Sequence, residues 1–471
     1  MATLKRGIKL EITKQLSRQS AEIFAQWIGC YGVIWNCKVA ENQEQYKAYR
    51  LAKIQDYLIL RPKPNQGVAQ FLTAERPWLK LVPSQIRRNA GTKFVEALNA
   101  CFKGLRQAPN FKSKYSKKNC LVTNELFDVK LDQDNIEFNF KRTNKSKAFC
   151  SIVLPKSKKM FDIPKTIWIT RKGFRFWLSW SYNQEFSNIR DEQTIIDQLK
   201  QAPTNYQTAA VIGIDMGIIQ PVALSDGQNL GFTLEEKQAL QAKQLRRLKY
   251  QRKLSRQRRV AKTTNTKTGN NYQKTKSHLA DQQARIANTR INMAHRVSKI
   301  IADSTSEIVV CENLIIKNMT KRPKAKQDPE TKQWIKNGAS AKAWLNKNIL
   351  NVGWGRVINY LEYKLRERDK LLVKISPKHS SQECVECGHI AAENRKTQAI
   401  FCCINCSHTD NADHNAACVL KKRFLQEVNT GKFVVQTKTV KRIAIRKQAA
   451  ARMSASVCGA KIRPILAVGP G

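Results

Sequence analysis

The chain has 471 residues, with 84 Lys plus Arg against 36 Asp plus Glu and a formal net charge of +48. Hydrophobic residues make up 42%, enough to bury real cores, which excludes a wholly disordered chain; the length suits about two to four domains. The charge excess calls for a polyanionic partner, nucleic acid before a membrane surface, and keeps a basic ribosomal-type or chromatin protein as the plain alternative.

No apolar run approaches the ~20 residues of a membrane span, and "MATLKRGIKLEITK" has no signal-peptide core. The expectation is a soluble, cytoplasmic protein. The 13 cysteines are odd in number and mostly scattered, which in a reducing compartment reads as buried thiols or metal ligands.

Residues 79–105 read as a helix that starts at Pro83-Ser84, with Ile86, Ala90, Phe94, Leu98 and Phe102 on one face and Arg87, Arg88 and Lys93 elsewhere around it. From about 120 to 183 the texture is β. "IEFNF" alternates Ile136, Phe138 and Phe140, and "IWITRKGFRFWLSWSY" reads as a hairpin turning near Lys172-Gly173. Trp168, Trp177 and Trp180 are expected in its core. "QAPTNYQTA" (201–209) reads as a linker. "AVIGIDMGIIQPVALSDG" then reads as strand, Gly turn, strand, turn.

Residues 237–280 hold 14 Lys plus Arg and no Asp or Glu. They read as a helix with a Leu240, Leu245, Leu248, Leu254 stripe, a break at 263–271, and a second helix through Ile300. So many like charges self-repel, which favours a polyanion contact over a merely solvated face. "EIVVCENL" (307–314) is a buried-type strand ending in Glu312, "KRPKAKQDPETKQ" (321–333) reads as a mobile loop, 344–366 as a helix weakened by Gly353 and Gly355, and "LLVKISP" (371–377) as a strand. A helix follows from about 414. The stretch 421–471 carries 12 Lys plus Arg against one Glu, so much of this tail is expected to be disordered without a partner.

Two constellations carry chemistry. Cys384 and Cys387 form one C-x-x-C, and Cys403 and Cys406 another. Four thiolates on two such knuckles suit one tetrahedral Zn²⁺ with no open position, a structural site on a small ribbon; Cys402 lies beside the pattern. The second constellation is acidic: Asp215 and Glu312 end strands, and Asp413 opens a helix. Carboxylates at adjacent strand ends, with a third on a packed helix, can hold two Mg²⁺ for phosphodiester cleavage. Singly, each has a plainer reading: a turn residue, a solvated strand end, a helix cap. "GIDMG" also suits the first strand of sugar kinases and actin-like ATPases, but the chain shows neither their second phosphate hairpin nor their adenosine motif.

In this order the motifs resemble the TnpB family, the RNA-guided nucleases of insertion sequences, and their relatives the small type V CRISPR effectors. The resemblance rests on "GIDMGIIQPVALSDG", "VVCENLIIKNM", "LNKNILNVGWGRVINYLEYK", "SSQECVECGH", "FCCINC" and "ADHNAA", with "VPSQIRRNA" and "PNFKSK" in the first half, and it runs to about residue 425. It implies an α/β plus β architecture. A wedge β-barrel (1–14 and 116–205) would carry a helical recognition insertion (15–115). A ribonuclease H-like RuvC domain (206–380, last helix 409–427) would be interrupted by a zinc-ribbon insertion that binds target nucleic acid (381–408). A basic tail (428–471) would follow.

The resemblance further implies a Mg-dependent endodeoxyribonuclease. Asp215, Glu312 and Asp413 match the catalytic acids and would bind two Mg²⁺ or Mn²⁺; Cys384, Cys387, Cys403 and Cys406 would hold one structural Zn²⁺. The partners would be a guide RNA and a DNA target beside a short motif, with base pairing reading the target, in a prokaryotic cytoplasm and at the nucleoid through DNA, without a membrane. Nucleic-acid contacts are expected from Asn36, Gln85 and Arg88 near the adjacent motif, from Arg246, Arg247, Arg252 and Arg256 in the basic run, and from Arg395 in the ribbon. Two positions depart from the pattern: Ser407 stands where Gly often follows the fourth cysteine, and His379 where an aromatic residue often precedes Ser380-Ser381. A non-cleaving RNA-guided regulator and a guide-independent resolvase or transposase stay open as alternatives.

Overall fold

A computed structural model describes residues 2–55, 63–113, 118–155, 163–186, 189–397 and 399–435. The expectation for the tail beyond 435 lies outside the described residues. The described chain forms two compact units, residues 3–185 and 186–435. Among the described residues no helix is long and apolar enough to cross a membrane.

In the first unit, strand β1 (Ala2–Glu11) leads to helix α1 (Arg18–Ile54), capped by the Ser17 hydroxyl on the Ser20 amide at 3.1 Å. Helix α2 (Ser84–Phe102) buries Ile86, Ala90, Phe94 and Leu98, whereas Phe102 at its last turn is exposed. Six strands follow: β2 (Lys118–Thr123), β3 (Phe127–Leu131), β4 (Asn135–Lys141), β5 (Ala148–Pro155), β6 (Thr166–Lys172) and β7 (Arg175–Phe186). They make two sheets, β1-β7-β6-β2 and β3-β4-β5. Among the described residues no ladder joins the two, so the expected barrel is observed as a four-stranded and a three-stranded sheet. One core joins them: Ile136, Phe138 and Phe140 of β4 meet Trp180 of β7 and Phe24 and Trp27 of α1. The β6–β7 turn is Gly173-Phe174, with Gly173 at φ +63°. Trp180 is buried, while Trp168 and Trp177 are half-buried, the latter under the Lys9 ammonium.

The second unit starts earlier than expected. Residues 191–210, read as the end of the β region and a linker, form α3 (Glu192–Gln201) and α4 (Thr204–Ala210). Gln207 explains the misreading. It is buried, and its amide donates to the Leu199 and Ala202 carbonyls and accepts from Asn429, so a polar stretch is consumed in packing.

Then come β8 (Val211–Asp215), β9 (Val222–Leu224), β10 (Asn229–Leu230), the long helices α5 (Leu234–Thr263) and α6 (Asn270–Asp303), β11 (Ile308–Glu312), the short α7 (Ile316–Met319), the hairpin strands β12 (Lys326–Gln327) and β13 (Trp334–Ile335), α8 (Ala339–Val352), α9 (Trp354–Arg366) and β14 (Leu371–Ile375). The segment read as a loop at 321–333 thus contains most of a small hairpin. Its turn is held by Asp328 accepting from the Glu330 and Thr331 amides. The helix expected over 344–366 divides at Gly353, φ +78°.

The main sheet runs β10-β9-β8-β11-β14, with β8, β11 and β14 parallel and β9 antiparallel to β8. Helices cover both faces, so the parallel strands are mostly apolar, Lys374 of β14 and the terminal acids Asp215 and Glu312 apart. Ile212, Ile214, Val309 and Cys311 pack on α6, α8 and α9. Val211, Ile308 and Val310 pack on α3 and on α10 (Ala412–Asn429). Before α10, β15 (Ile400–Cys402) and β16 (Thr409–Asn411) pair within the cysteine-rich segment. Helix α10 runs past the expected limit of 427 to Asn429, with Val428 buried and Phe433 packed on Phe424. The leucine stripe of α5 is only partly covered: Leu245 and Leu248 are exposed and the helix has no buried residue.

Candidate metal and nucleic-acid site

The three acids arrive in one cavity because of two glycines. Gly213 sits two residues before Asp215 on the β8 face toward α10, and a Cβ there would lie 2.0 Å from the Ala417 carbonyl oxygen. Only a residue without a side chain lets α10 approach so closely. Ala417 lies one helical turn after Asp413, so this contact carries Asp413 to the end of β8. Gly217 makes room for it: a Cβ there would lie 3.2 Å from Asp413 Oδ2 and 2.4 Å from the Gln220 carbonyl. Glu312 ends β11, the parallel neighbour of β8, so two of the acids sit at adjacent carboxyl ends of strands, the usual place for a site in such sheets.

Asp215, Glu312 and Asp413 line a cavity of about 330 Å³ together with Ser380, Trp354 and Arg395. Glu312 is 9% exposed and accepts a 2.5 Å hydrogen bond from the Ser380 hydroxyl, so it is no solvated strand end. Asp413 does not cap its helix; Asn411 does, accepting from the Asp413 and His414 amides. Burial, then the charges of Glu312 and Asp413, push Asp215 up to about 7. Burial also raises Glu312, against the Ser380 hydrogen bond, Arg423 and Arg395, and raises Asp413 against Arg395. The Arg395 guanidinium lies 3.6 Å from Asp413 Oδ1.

Ser380 and Trp354 complete the polar and aromatic lining of the cavity. The Trp354 indole donates to the Gly217 carbonyl at 2.8 Å, bracing the turn after Asp215. Ser380 lies beyond the end of β14, the strand next to β11, which is the signal that could have found it.

The four thiols converge as well. The Sγ atoms of Cys384, Cys387, Cys403 and Cys406 all lie within 4.8 Å of one another, with Cys384–Cys406 at 3.6 Å and Cys387–Cys403 at 3.5 Å. Tetrahedral Zn–S bonds of ~2.3 Å set sulfurs about 3.8 Å apart, so the set fits a metal of this kind; Cys402 is outside it. The knuckles match: Cys384 N bonds His389 O and Cys403 N bonds His408 O, while Gly388 and Ser407 bond back to Cys384 O and Cys403 O. Gly388 has φ +73° and Ser407 φ +59°, so Ser407 occupies a left-handed position that glycine would fill without strain. His379, the other departure, is also left-handed at φ +59°. Buried Asn394 ties the halves by donating to the Gln382 and His389 carbonyls and accepting from the Ile404 amide; this anchors its neighbour Arg395 over the acids. Buried Asn415 of α10 bonds the Glu383 carbonyl and the Val385 amide, and Arg423 pairs with Glu383.

The remaining expected contacts fall elsewhere. Asn36 spends both ends of its amide on the Lys112 main chain, at 3.0 and 2.7 Å, so it holds a loop in place. Arg88 Nη2 donates to both carboxylate oxygens of Glu125 at 2.8 and 2.9 Å, and Gln85 accepts from the Ser84 hydroxyl. Neither Asn36 nor Arg88 is free for a ligand without exchange, because a partner distant in sequence holds each. Arg246, Arg252 and Arg256 are exposed on α5 and Arg247 is half-buried.

Residues 354–420 match the family model "Cas12f1-like, TNB domain", and residues 189–323 match "Probable transposase", OrfB_IS605. The chain is 28% identical over 355 residues to the Escherichia coli K12 protein described as "Putative RNA-guided DNA endonuclease InsQ", which covers 73% of this chain and 75% of that one. Over 55 residues, 12% of this chain and 13% of the other, it is 49% identical to the CRISPR-associated endodeoxyribonuclease Cas12f1 of Sulfoacidibacillus thermotolerans. Among solved structures it aligns with a Cas12f1–sgRNA–target DNA complex at TM-score 0.47 and 15% identity, over 86% of this chain and 83% of that one. The transposase-type match takes in Asp215 and Glu312 and the Cas12f1-type match takes in the four cysteines and Asp413, so the chain is similar to transposon-encoded and Cas12f1-type RNA-guided nucleases across both constellations.

Proposed function

We propose that this chain is an RNA-guided DNA endonuclease with a ribonuclease H-like, RuvC-type nuclease domain in its second unit. The observation that carries the reading is the convergence of Asp215, Glu312 and Asp413 in one cavity of a strongly basic chain. The sheet order, with its single reversed strand next to β8, agrees with that fold, and the relatives' names agree with the activity.

Three carboxylates raised by burial, Asp215 also by the charges of the other two, are suited to hard divalent cations. Two Mg²⁺ ions would supply Lewis-acid polarisation of the scissile phosphate and a water nucleophile at neutral pH. Asp215, Glu312 and Asp413 would hold them. Ser380 fixes the orientation of Glu312 by its hydrogen bond. Arg395, held beside Asp413 by the ribbon, would leave that carboxylate for the incoming phosphate and offset its charge. The four cysteines would hold Zn²⁺, whose part is to keep Asn394, Arg395 and the ribbon against α10. The exposed arginines of α5 would meet guide or heteroduplex phosphates, while base pairing would select the target.

The test is cleavage of a target DNA by protein purified with its co-expressed RNA. Asp215→Ala is expected to abolish Mg²⁺-dependent cleavage while RNA binding persists; a variant that cuts like the parent sinks the assignment. Sequencing the co-purified RNA separates a transposon-end transcript from a repeat-spacer RNA, and a preparation that cuts without RNA removes the guide from the reading.

A further inference from the structure

Three arginines meet near the joint between α8 and α9; none of them lines the cavity of the acids, and nothing in the proposed chemistry uses them. Arg290 of α6 donates to Asn351 Oδ1 at 2.7 Å, just before Gly353. Arg356 of α9 folds back toward the same joint, its guanidinium 3.8 Å from where a Cβ on Gly353 would stand. Arg247 of α5 lies near enough to Arg290 to repel its charge. All three are half-buried, and the Nε atoms of Arg247 and Arg290 are buried without a partner. Among the described residues none of the three pairs with a carboxylate. Burial disfavours the charge on Arg290, and Arg356 and then Arg247 add like-charge repulsion. Arginine does not escape by losing its proton, so three clustered cations with unspent donors stand as a standing cost in the free protein. An anion with several acceptor oxygens would satisfy the donors and cancel the repulsion together.

We propose that Arg247, Arg290 and Arg356 form a subsite for one backbone phosphate of a bound polynucleotide. This rests on the nucleic-acid reading above, and it adds a particular, partly buried anchor to the exposed basic face of α5.

The test compares the full-length chain with Arg290→Gln, Arg356→Gln and Arg290→Lys, using single-stranded oligouridylate over a salt series. The glutamine variants are expected to bind roughly ten-fold more weakly, with the slope of log affinity against log salt shallower by about 0.7. They should melt no lower than the parent without RNA, since a repelling charge is gone, and Arg290→Lys should restore most of the slope. A lower melting temperature with unchanged affinity and slope shows a packing role and overturns the proposal. So does stabilisation of the parent by inorganic phosphate alone with no change in RNA affinity between parent and variants, which marks a free-anion site. Failure of the parent itself to bind RNA sinks the broader reading as well, and is told apart by appearing in the unsubstituted protein.

Discussion

Replacing Asp215 by Asn keeps the side chain's size and removes its charge. In the parent, burial and the neighbouring Glu312 and Asp413 move this acid from 3.8 up to about 7. That displacement corresponds to about 4 kcal/mol of unfavourable ionisation once the pH exceeds both values. The folded value lies above the unfolded one, so the stability of the protonated acid is fully present below about 3.8 and is lost as the pH rises through about 7. With chelator present, parent and Asp215→Asn should therefore melt together near pH 4, and the variant should melt roughly 10 °C higher near pH 8. Mg²⁺ should narrow that gap at high pH by stabilising the parent, since ions that bind only the folded state raise its stability by mass action. Thermal melts across this pH range, with and without Mg²⁺, make the measurement. Superimposable curves for the two proteins in chelator would refute the electrostatic argument, because a turn residue or a solvated acid gives no such divergence.

Gly213→Ala places a methyl 2.0 Å from the Ala417 carbonyl; α10 must move, costing about 1–3 kcal/mol, and cleavage should fall far more than RNA binding does. Ser407→Gly relieves a left-handed side chain, so the ribbon should gain about 1 kcal/mol, read as slower loss of metal to a chelator; faster loss counts against the strain. Cys403→Ser should reduce bound zinc and expose the ribbon to protease, while Cys402→Ser should leave one zinc per chain by metal analysis, since only Cys403 lies in the four-sulfur set.

The sequence and the fold part company at definite places. Strands whose residues face two covered sides were legible as apolar runs, and the C-x-x-C spacing named its thiols because two residues span one knuckle. Gln207 was not legible: a polar residue buried by hydrogen bonds to carbonyls looks like linker. Nor were the partners of Asn36 and Arg88, which come from positions distant in sequence. The incomplete cover of Leu245 and Leu248 was hidden too, because periodicity states which residues share a face but not whether anything packs on it.

By itself the sequence determined the three acids as strand-end and helix-start residues, the four cysteines, the surplus of positive charge and the family resemblance. Only the tertiary structure decided that the acids share one cavity. That depends on Gly213 admitting the Ala417 carbonyl, on Gly217 leaving space for Asp413, and on Asn394 holding Arg395 alongside. Each is a close contact between segments well separated along the chain, a matter of distance that no local spacing encodes.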